Sequence, residues 1–456
     1  MTTTLSFRQH VRAILVLGLP LVGSHVAQFG ISLIDAVMLG WYDVEALAAQ
    51  VLGSTLFFVL FIMGSGFAWA VMPMVAEAEA AGNHTQVRRF ARMSMWISLL
   101  FGVAVMPLMI WSEPVLLLLG QTPLMSALGA EYLVIAGWGV FPALMVMVLK
   151  SYLAAQERTR IVLWVTLGAM PVNAVINYAL IFGKWGAPEL GIAGAAIASV
   201  AVQMMSFVLL AIYAAVATAQ HQLFQRFWRP DWEAFGKVFR LGWPIGITNL
   251  AEVGLFAAAS TMMGWLGEIP LAAHGIALQI ASLTFMVHLG LSNAATVRAG
   301  RAMGRADIAG LRRGAQAVLL MSLCVAVVTI GVFLLLPEPL MGLFLSPADP
   351  QRAEVIRLGV PLLAAAAVFQ LADAAQVMAL GLLRGVQDTR IPMVIAAVAY
   401  WVIGVPVSYG LGFVLGWQGP GVWIGLALGL CVAAVLLMAR FWGQSLPRLA
   451  VRPPSV

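Results

Sequence analysis

Three acids stand where only oil-soluble side chains are expected. Asp35, Glu252 and Asp373 lie inside stretches otherwise dominated by Leu, Ile, Val, Ala, Phe and Met. Near the centre of a membrane helix an ionised side chain costs about 2.5–3.5 kcal/mol on insertion scales. No Lys or Arg falls at comparable depth in these stretches, so each carboxyl must carry a proton, bind a cation or face water. Burial without a counter-ion disfavours the charged form of an acid, which suits a group that takes up and releases protons. For Asp35 a plainer reading stands alongside, that of an acid close to the outer end of its helix.

The polar neighbours of these acids are spaced for helices. Ser24, Gln28, Ser32 and Asp35 follow intervals of four, four and three, and so share one helical face. Thr166, Asn173 and Asn177 share another. Thr248, Asn249 and Glu252 fall within one turn, and Gln370, Asp373 and Gln376 recur three apart. Such stripes turn inward, either to line a path for an ion or solute or to join helices by hydrogen bonds. His25, His274 and His288 read as satisfied interior histidines rather than a proton relay. Cys324 and Cys431 sit in apolar runs and read as small packing residues. The sequence has no P-loop, no HExxH, no Gly-x-Ser-x-Gly and no clustered metal ligands. ATP-driven pumping within this chain and membrane-embedded hydrolysis therefore lack a constellation, and no cofactor is expected.

The elements that must hold these residues are membrane helices. Of 456 residues 62% are hydrophobic and 10% charged, against roughly 25% charged in soluble proteins. Mean hydropathy is +0.96. About 20 mostly apolar residues make a span, and twelve are expected, near 13–39, 46–72, 92–112, 127–153, 160–183, 190–217, 236–262, 270–298, 314–336, 354–383, 392–415 and 420–442. The first is too long for the apolar core of a signal peptide and is read as retained. Pro20, Pro171, Pro244 and Pro406 fall inside spans as candidate bends.

Of the 25 Lys and Arg residues, 22, Arg452 among them, fall at the termini or in connections on one side, leaving Lys184, Arg352 and Arg357 on the other. That asymmetry predicts both termini in the cytoplasm. It also explains a pI near 9.7 without a nucleic-acid partner.

The second half repeats the first at an offset of 224 residues. LGLP at 17–20 matches LGWP at 241–244, MLGW at 38–41 matches MMGW at 262–265, and RRFA at 88–91 matches RRGA at 312–315. QERTR at 156–160 resembles VQDTR at 386–390 at a slightly larger offset. Six helices per copy predict two lobes, 1–220 and 221–456, related by an axis along the membrane normal with a substrate path between them. The acids are not duplicated: Gln28 is equivalent to Glu252, Ala259 to Asp35 and Ala143 to Asp373. The halves should therefore titrate differently.

Four strings, LGLP…LIDAVMLGW, NAVINYALIFG, NLAEVGLFA and FQLADAAQVMALGLLRGVQDTRIP, occur in an order that resembles the multidrug and toxic compound extrusion family, in its NorM-type bacterial branch. The resemblance spans nearly the whole chain. It implies an all-α integral membrane protein with two pseudo-two-fold-related six-helix bundles around a central cavity. It also implies export of amphiphilic, often cationic, compounds in exchange for Na+ or H+ across the bacterial inner membrane. Coupling falls on Asp35, Glu252 and Asp373, with sodium at Glu252 and Asp373 one of the admitted ions. Gln28, Ser32, Asn173, Asn177, Phe369 and Gln370 become supporting or cavity residues, and Pro20 the bend of the first helix. Some members have Tyr where this chain has Phe369; Phe keeps an aromatic face for a cation and lacks the hydroxyl. One chain supplies both lobes and is expected to work alone in the lipid bilayer. A flippase for lipid-linked precursors, of related fold, would need basic residues in its cavity. A passive channel would show conductance without accumulation.

Overall fold

A computed structural model describes residues 6–347 and 350–451; Arg452, counted among the charges above, lies outside them. Twelve helices are long and apolar enough to cross a membrane. They are α1 (Phe7–Tyr42), α2 (Val44–Ala80), α3 (His84–Ile110), α4 (Pro123–Ala155), α5 (Thr159–Phe182), α6 (Gly191–Ala217), α7 (Trp232–Leu266), α8 (Glu268–Gly304), α9 (Ile308–Leu335), α10 (Arg352–Gly385), α11 (Arg390–Val414) and α12 (Gln418–Ala450). There is no strand among the described residues. Each expected span is present, several with added turns. A helix of 37 residues is about 55 Å long at 1.5 Å per residue, well beyond a hydrocarbon core of about 30 Å. The extra turns are the polar ends that an apolar-run criterion leaves out.

Helix ends follow the sequence locally and repeat with it. Asn83 caps α3 by accepting from the Gln86 N–H at 3.1 Å, and its equivalent Asp307 caps α9 by accepting from the Gly310 N–H at 2.7 Å. The turns before the fifth and eleventh helices both carry a left-handed residue, Glu157 (φ 57°) and Gln387 (φ 59°), in the two resembling strings. α1 runs unbroken through Pro20, as do α5 through Pro171 and α7 through Pro244. α11 differs. Pro406 offers no N–H, and the ladder around it widens into π-helical turns at Val398–Gly404 and Gly410–Val414.

The chain forms two compact units. One is Gly23–Gly246. The other joins the chain up to Val22 with everything described from Ile247 onward. Both borders fall two residues after a proline, Pro20 or Pro244, and lie 224 residues apart. Each unit thus contains the opening part of the other copy's first helix. Two glycines permit this. A Cβ on Gly66 would lie 2.3 Å from the Gly246 backbone nitrogen, and one on Gly290 2.7 Å from that of Val22. These are the same contact made twice, since 66 and 22 plus the offset give 290 and 246. No side chain fits between helices so close.

Cys324 and Cys431 are both exposed, which corrects the reading of them as interior packing residues. Their apolar surroundings are the outward faces of α9 and α12, where a bilayer protein is as hydrophobic as in its interior.

Candidate functional site

In the unit of residues 23–246, Asp35 sits on α1 and is 7% exposed. Its Oδ1 accepts from Asn173 Nδ2 at 3.0 Å and Asn177 Nδ2 at 2.6 Å, and its Oδ2 accepts from Ser199 Oγ at 3.3 Å. Asn173 and Asn177 are one turn apart on α5 and fully buried, and Asn177 Nδ2 also contacts Asn173 Oδ1 at 3.2 Å. The α5 stripe thus faces the α1 acid. Ser199 on α6, and Tyr132 with Gln50 beside it, complete a polar cluster that sequence reasoning missed. Ser199 lies in an Ala-rich helix, where nothing in the spacing separates a bonding serine from a packing one. Thr166 spends its hydroxyl on the Val162 carbonyl of its own helix. Ser32 is exposed and Gln28 half-buried. Lys150 of α4 reaches Gln28 Oε1 at 3.5 Å.

In the other unit, Asp373 on α10 is 1% exposed and its Oδ1 is buried without a hydrogen-bond partner among the described residues. The same holds for Glu252 Oε1 on α7 and for both amide atoms of Gln370, one turn before Asp373. Glu252 and Asp373 are close enough to interact electrostatically, and Tyr400 feels both. Gln376 donates to the Tyr400 hydroxyl at 2.6 Å. Phe369 is buried edge-on against Phe256 (centroids 5.8 Å) and Trp423 (5.5 Å). Trp423 donates to His274 Nδ1 at 3.1 Å, and His274 Nε2 meets Ser260 Oγ at 3.1 Å. His288 Nδ1 meets Ser322 at 3.0 Å. Both ring nitrogens of His274 are thus engaged, whereas His288 Nε2 is buried without a hydrogen-bond partner among the described residues.

The expectation that no Lys or Arg lies at comparable depth is corrected here. Arg384 donates to Asn249 Oδ1 at 2.8 Å and acts on Glu252. It lies at the loop end of α10, about 16 Å along the axis from Asp373 at 1.5 Å per residue. Its long side chain brings charge back into the bundle, as Lys150 does on α4. A count along the chain places the Cα of such a residue and misses the reach of its head group. Lys150 and Arg384 come from the fourth helix of each copy, though not from equivalent positions, and each reaches the first helix of its copy, at Gln28 of α1 and at Asn249 of α7.

The absence of clustered metal ligands also needs correction. Glu79, His84 and His221 present ligand atoms within 4.8 Å of one another. Glu79 and His84 straddle the α2–α3 turn, but His221 comes from beyond α6, so no short motif announces the group.

Comparison with known proteins places this geometry. The family model described as MatE matches residues 20–179 and again 244–410, one match per copy of the repeat. A protein described as "Probable multidrug resistance protein NorM" from Rhizobium meliloti (strain 1021) is 48% identical over 452 residues, covering 99% of this chain and 97% of that one. A protein of the same description from Agrobacterium fabrum is 45% identical, covering 96% and 94%. Among solved structures, the eukaryotic MATE transporter AtDTX14 superposes with a TM-score of 0.85 at 18% identity, covering 97% and 98% of the two chains. An outward-facing multidrug resistance MATE transporter gives 0.88 at 19%, covering 97% of each. The chain belongs to the MatE family, the multidrug and toxic compound extrusion transporters, in its NorM-type bacterial branch.

Proposed function

We propose that this protein is a cation-coupled antiporter that exports amphiphilic, often cationic, compounds by exposing a substrate cavity alternately to the two faces of the bacterial inner membrane. The observation that carries the reading is a set of buried polar atoms, Glu252 Oε1, Asp373 Oδ1 and both amide atoms of Gln370, without hydrogen-bond partners among the described residues. A buried polar atom without a partner costs free energy, and a mobile Na+ or H+ removes that cost when it arrives. The relatives' description as multidrug resistance proteins supports the substrate class.

On this reading a cation entering from outside neutralises the carboxylates of one or both lobes, 1–220 and 221–456, and changes which face is open. Each inward charge draws about 2.3 kcal/mol per 100 mV from the membrane potential. Asp35, held by Asn173 and Asn177, is the coupling group of the first lobe. Pro20, which leaves the helix unbroken here, marks where α1 bends in the cycle. Both termini lie in the cytoplasm, and a single chain suffices. The protein works as a transporter and not as an enzyme.

The test is substrate export from proteoliposomes under separately imposed sodium and pH gradients. Export driven by one gradient and lost in Glu252→Gln and Asp373→Asn supports the reading. Gradient-driven export unchanged in both variants rejects it, and flux without accumulation shows a channel instead.

A further inference from the structure

Glu79 lies in the last turn of α2, His84 opens α3, and His221 ends the short turn Ala219–His221 that follows α6. His221 Nε2 is 3.0 Å from Glu79 Oε2 and 3.1 Å from His84 Nδ1, and His84 Nδ1 is 3.7 Å from Glu79 Oε2. Zinc holds nitrogen and oxygen ligands at about 2.0–2.2 Å, and at tetrahedral angles such ligands sit about 3.3–3.5 Å apart. The three spacings bracket that value. His221 is 1% exposed, while the His84 side chain is 51% exposed, so three ligands converge from the protein and one direction stays open to water.

The neighbours fix which nitrogen of His221 faces the group. Its Nδ1 is 2.5 Å from the Tyr152 hydroxyl. Tyr152 donates its one proton to Thr218 Oγ1 at 2.8 Å, and Thr218 donates its own to the Ala214 carbonyl. The Tyr152 oxygen therefore accepts the Nδ1–H of His221, which leaves the Nε2 lone pair pointing at a carboxylate oxygen and at a second imidazole nitrogen. A proton on His84 Nδ1 can satisfy one of the two remaining acceptors; a cation satisfies all three. A histidine whose far nitrogen is oriented by a hydrogen-bond chain is the usual support of a metal ligand. Gln156 Nε2, donating to Glu79 Oε2 at 3.3 Å, steadies the carboxylate in the same way.

We propose that Glu79 Oε2, His84 Nδ1 and His221 Nε2 bind one divalent transition-metal ion of the zinc class, with a water in the fourth position. Two imidazoles and one carboxylate favour Zn2+ or Co2+ over Mg2+ or Ca2+, which take oxygen ligands. The ion ties the α2–α3 turn to the start of the segment leading into α7. That segment is already held farther on by Arg92 to the carbonyls of Gln225 and Arg226, by Trp96 to that of Phe227, and by Arg89 to Asp231. The site therefore controls the stiffness of the connection between the two copies of the repeat, apart from the coupling acids.

The test uses full-length protein in detergent, freed of any polyhistidine tag, stripped with a chelator and titrated with Co2+. We expect one equivalent per chain with the visible absorption of a four-coordinate Co2+, displaced by Zn2+. Glu79→Gln, His84→Ala and His221→Ala remove the signal. Tyr152→Phe keeps it with affinity lowered by about 10-fold or more. His84 is half-exposed, so His84→Ala with an unchanged thermal midpoint separates lost binding from lost folding. A parent protein that takes up no more Co2+ than His84→Ala, or uptake that persists in both His221→Ala and Glu79→Gln, overturns the proposal.

Discussion

Asp35 in one unit and Asp373 in the other are buried to a similar degree, but only the first is solvated by the protein. Asn173, Asn177 and Ser199 all donate to Asp35. Asp373 Oδ1, Glu252 Oε1 and the Gln370 amide find no partner among the described residues. Neither the basic residue nor the acid was kept in place through the duplication: Lys150, which meets Gln28, is equivalent to Leu380, and Arg384, which meets Asn249 and acts on Glu252, is equivalent to Ala154. One scaffold built twice thus gives a carboxylate with three protein donors and a pair of carboxylates that each keep an oxygen unpartnered among the described residues. Coupling needs a site that can be emptied and refilled, and the second unit has the stronger claim to it.

That difference can be broken experimentally. The largest effect is expected for Asp373→Asn, which should lower gradient-driven export by at least about tenfold, a loss of roughly 1.4 kcal/mol. Initial rates in proteoliposomes against the same substrate gradient check it. Asn177→Ala comes next. It leaves the Asp35 carboxylate short of a donor in a dry site and should destabilise the first unit by about 1–3 kcal/mol, read as a lowered thermal midpoint in detergent. Gln370→Met should have the opposite sign. Removing an amide that already lacks partners should be neutral or stabilising by up to about 1 kcal/mol, while export falls if the amide serves the ion. Equal losses of stability in Asn177→Ala and Gln370→Met would erase the contrast between the units.

The smallest effect lies at the loop end of the first unit. Arg89 beside Asp231 holds that carboxyl down at about 2. A lowered folded-state pKa gives stability that is present above the usual aspartate value and lost as pH falls from about 4 towards 2. The two side chains are 22% and 16% exposed, so solvent screens the pair in part and about 1 kcal/mol is expected. Asp231→Asn should flatten the acid limb of the stability profile by that amount in an acid-denaturation series.

The twelve helices and the repeat were legible because a bilayer writes its demands in long apolar runs and because a gapless offset of 224 residues preserved caps as well as strings. Asn83 and Asp307 show it, capping equivalent helices with different side chains. Helical spacing made the face of Asp35 and the face of Asn173 and Asn177 each legible; that the two faces meet was not in the spacing and came only from the family resemblance. Ser199 and Tyr132 were not, since a lone hydroxyl on an apolar helix gives no hint of its partner. Arg384 and Lys150 were misjudged because sequence position locates a backbone atom and not a charge at the end of a long side chain. The Glu79–His84–His221 group was invisible for another reason: its third member arrives through tertiary folding from 137 residues away.

The claim that most needs testing is that a mobile cation and the exported compound compete through Glu252 and Asp373. Equilibrium binding of a lipophilic cation such as tetraphenylphosphonium to purified protein, titrated with Na+ at fixed pH and with H+ at fixed Na+, measures this directly. The parent should release the probe as one of the two ions rises, and the Glu252→Gln, Asp373→Asn double variant should bind it without that dependence. Displacement curves that coincide for parent and double variant would contradict the account.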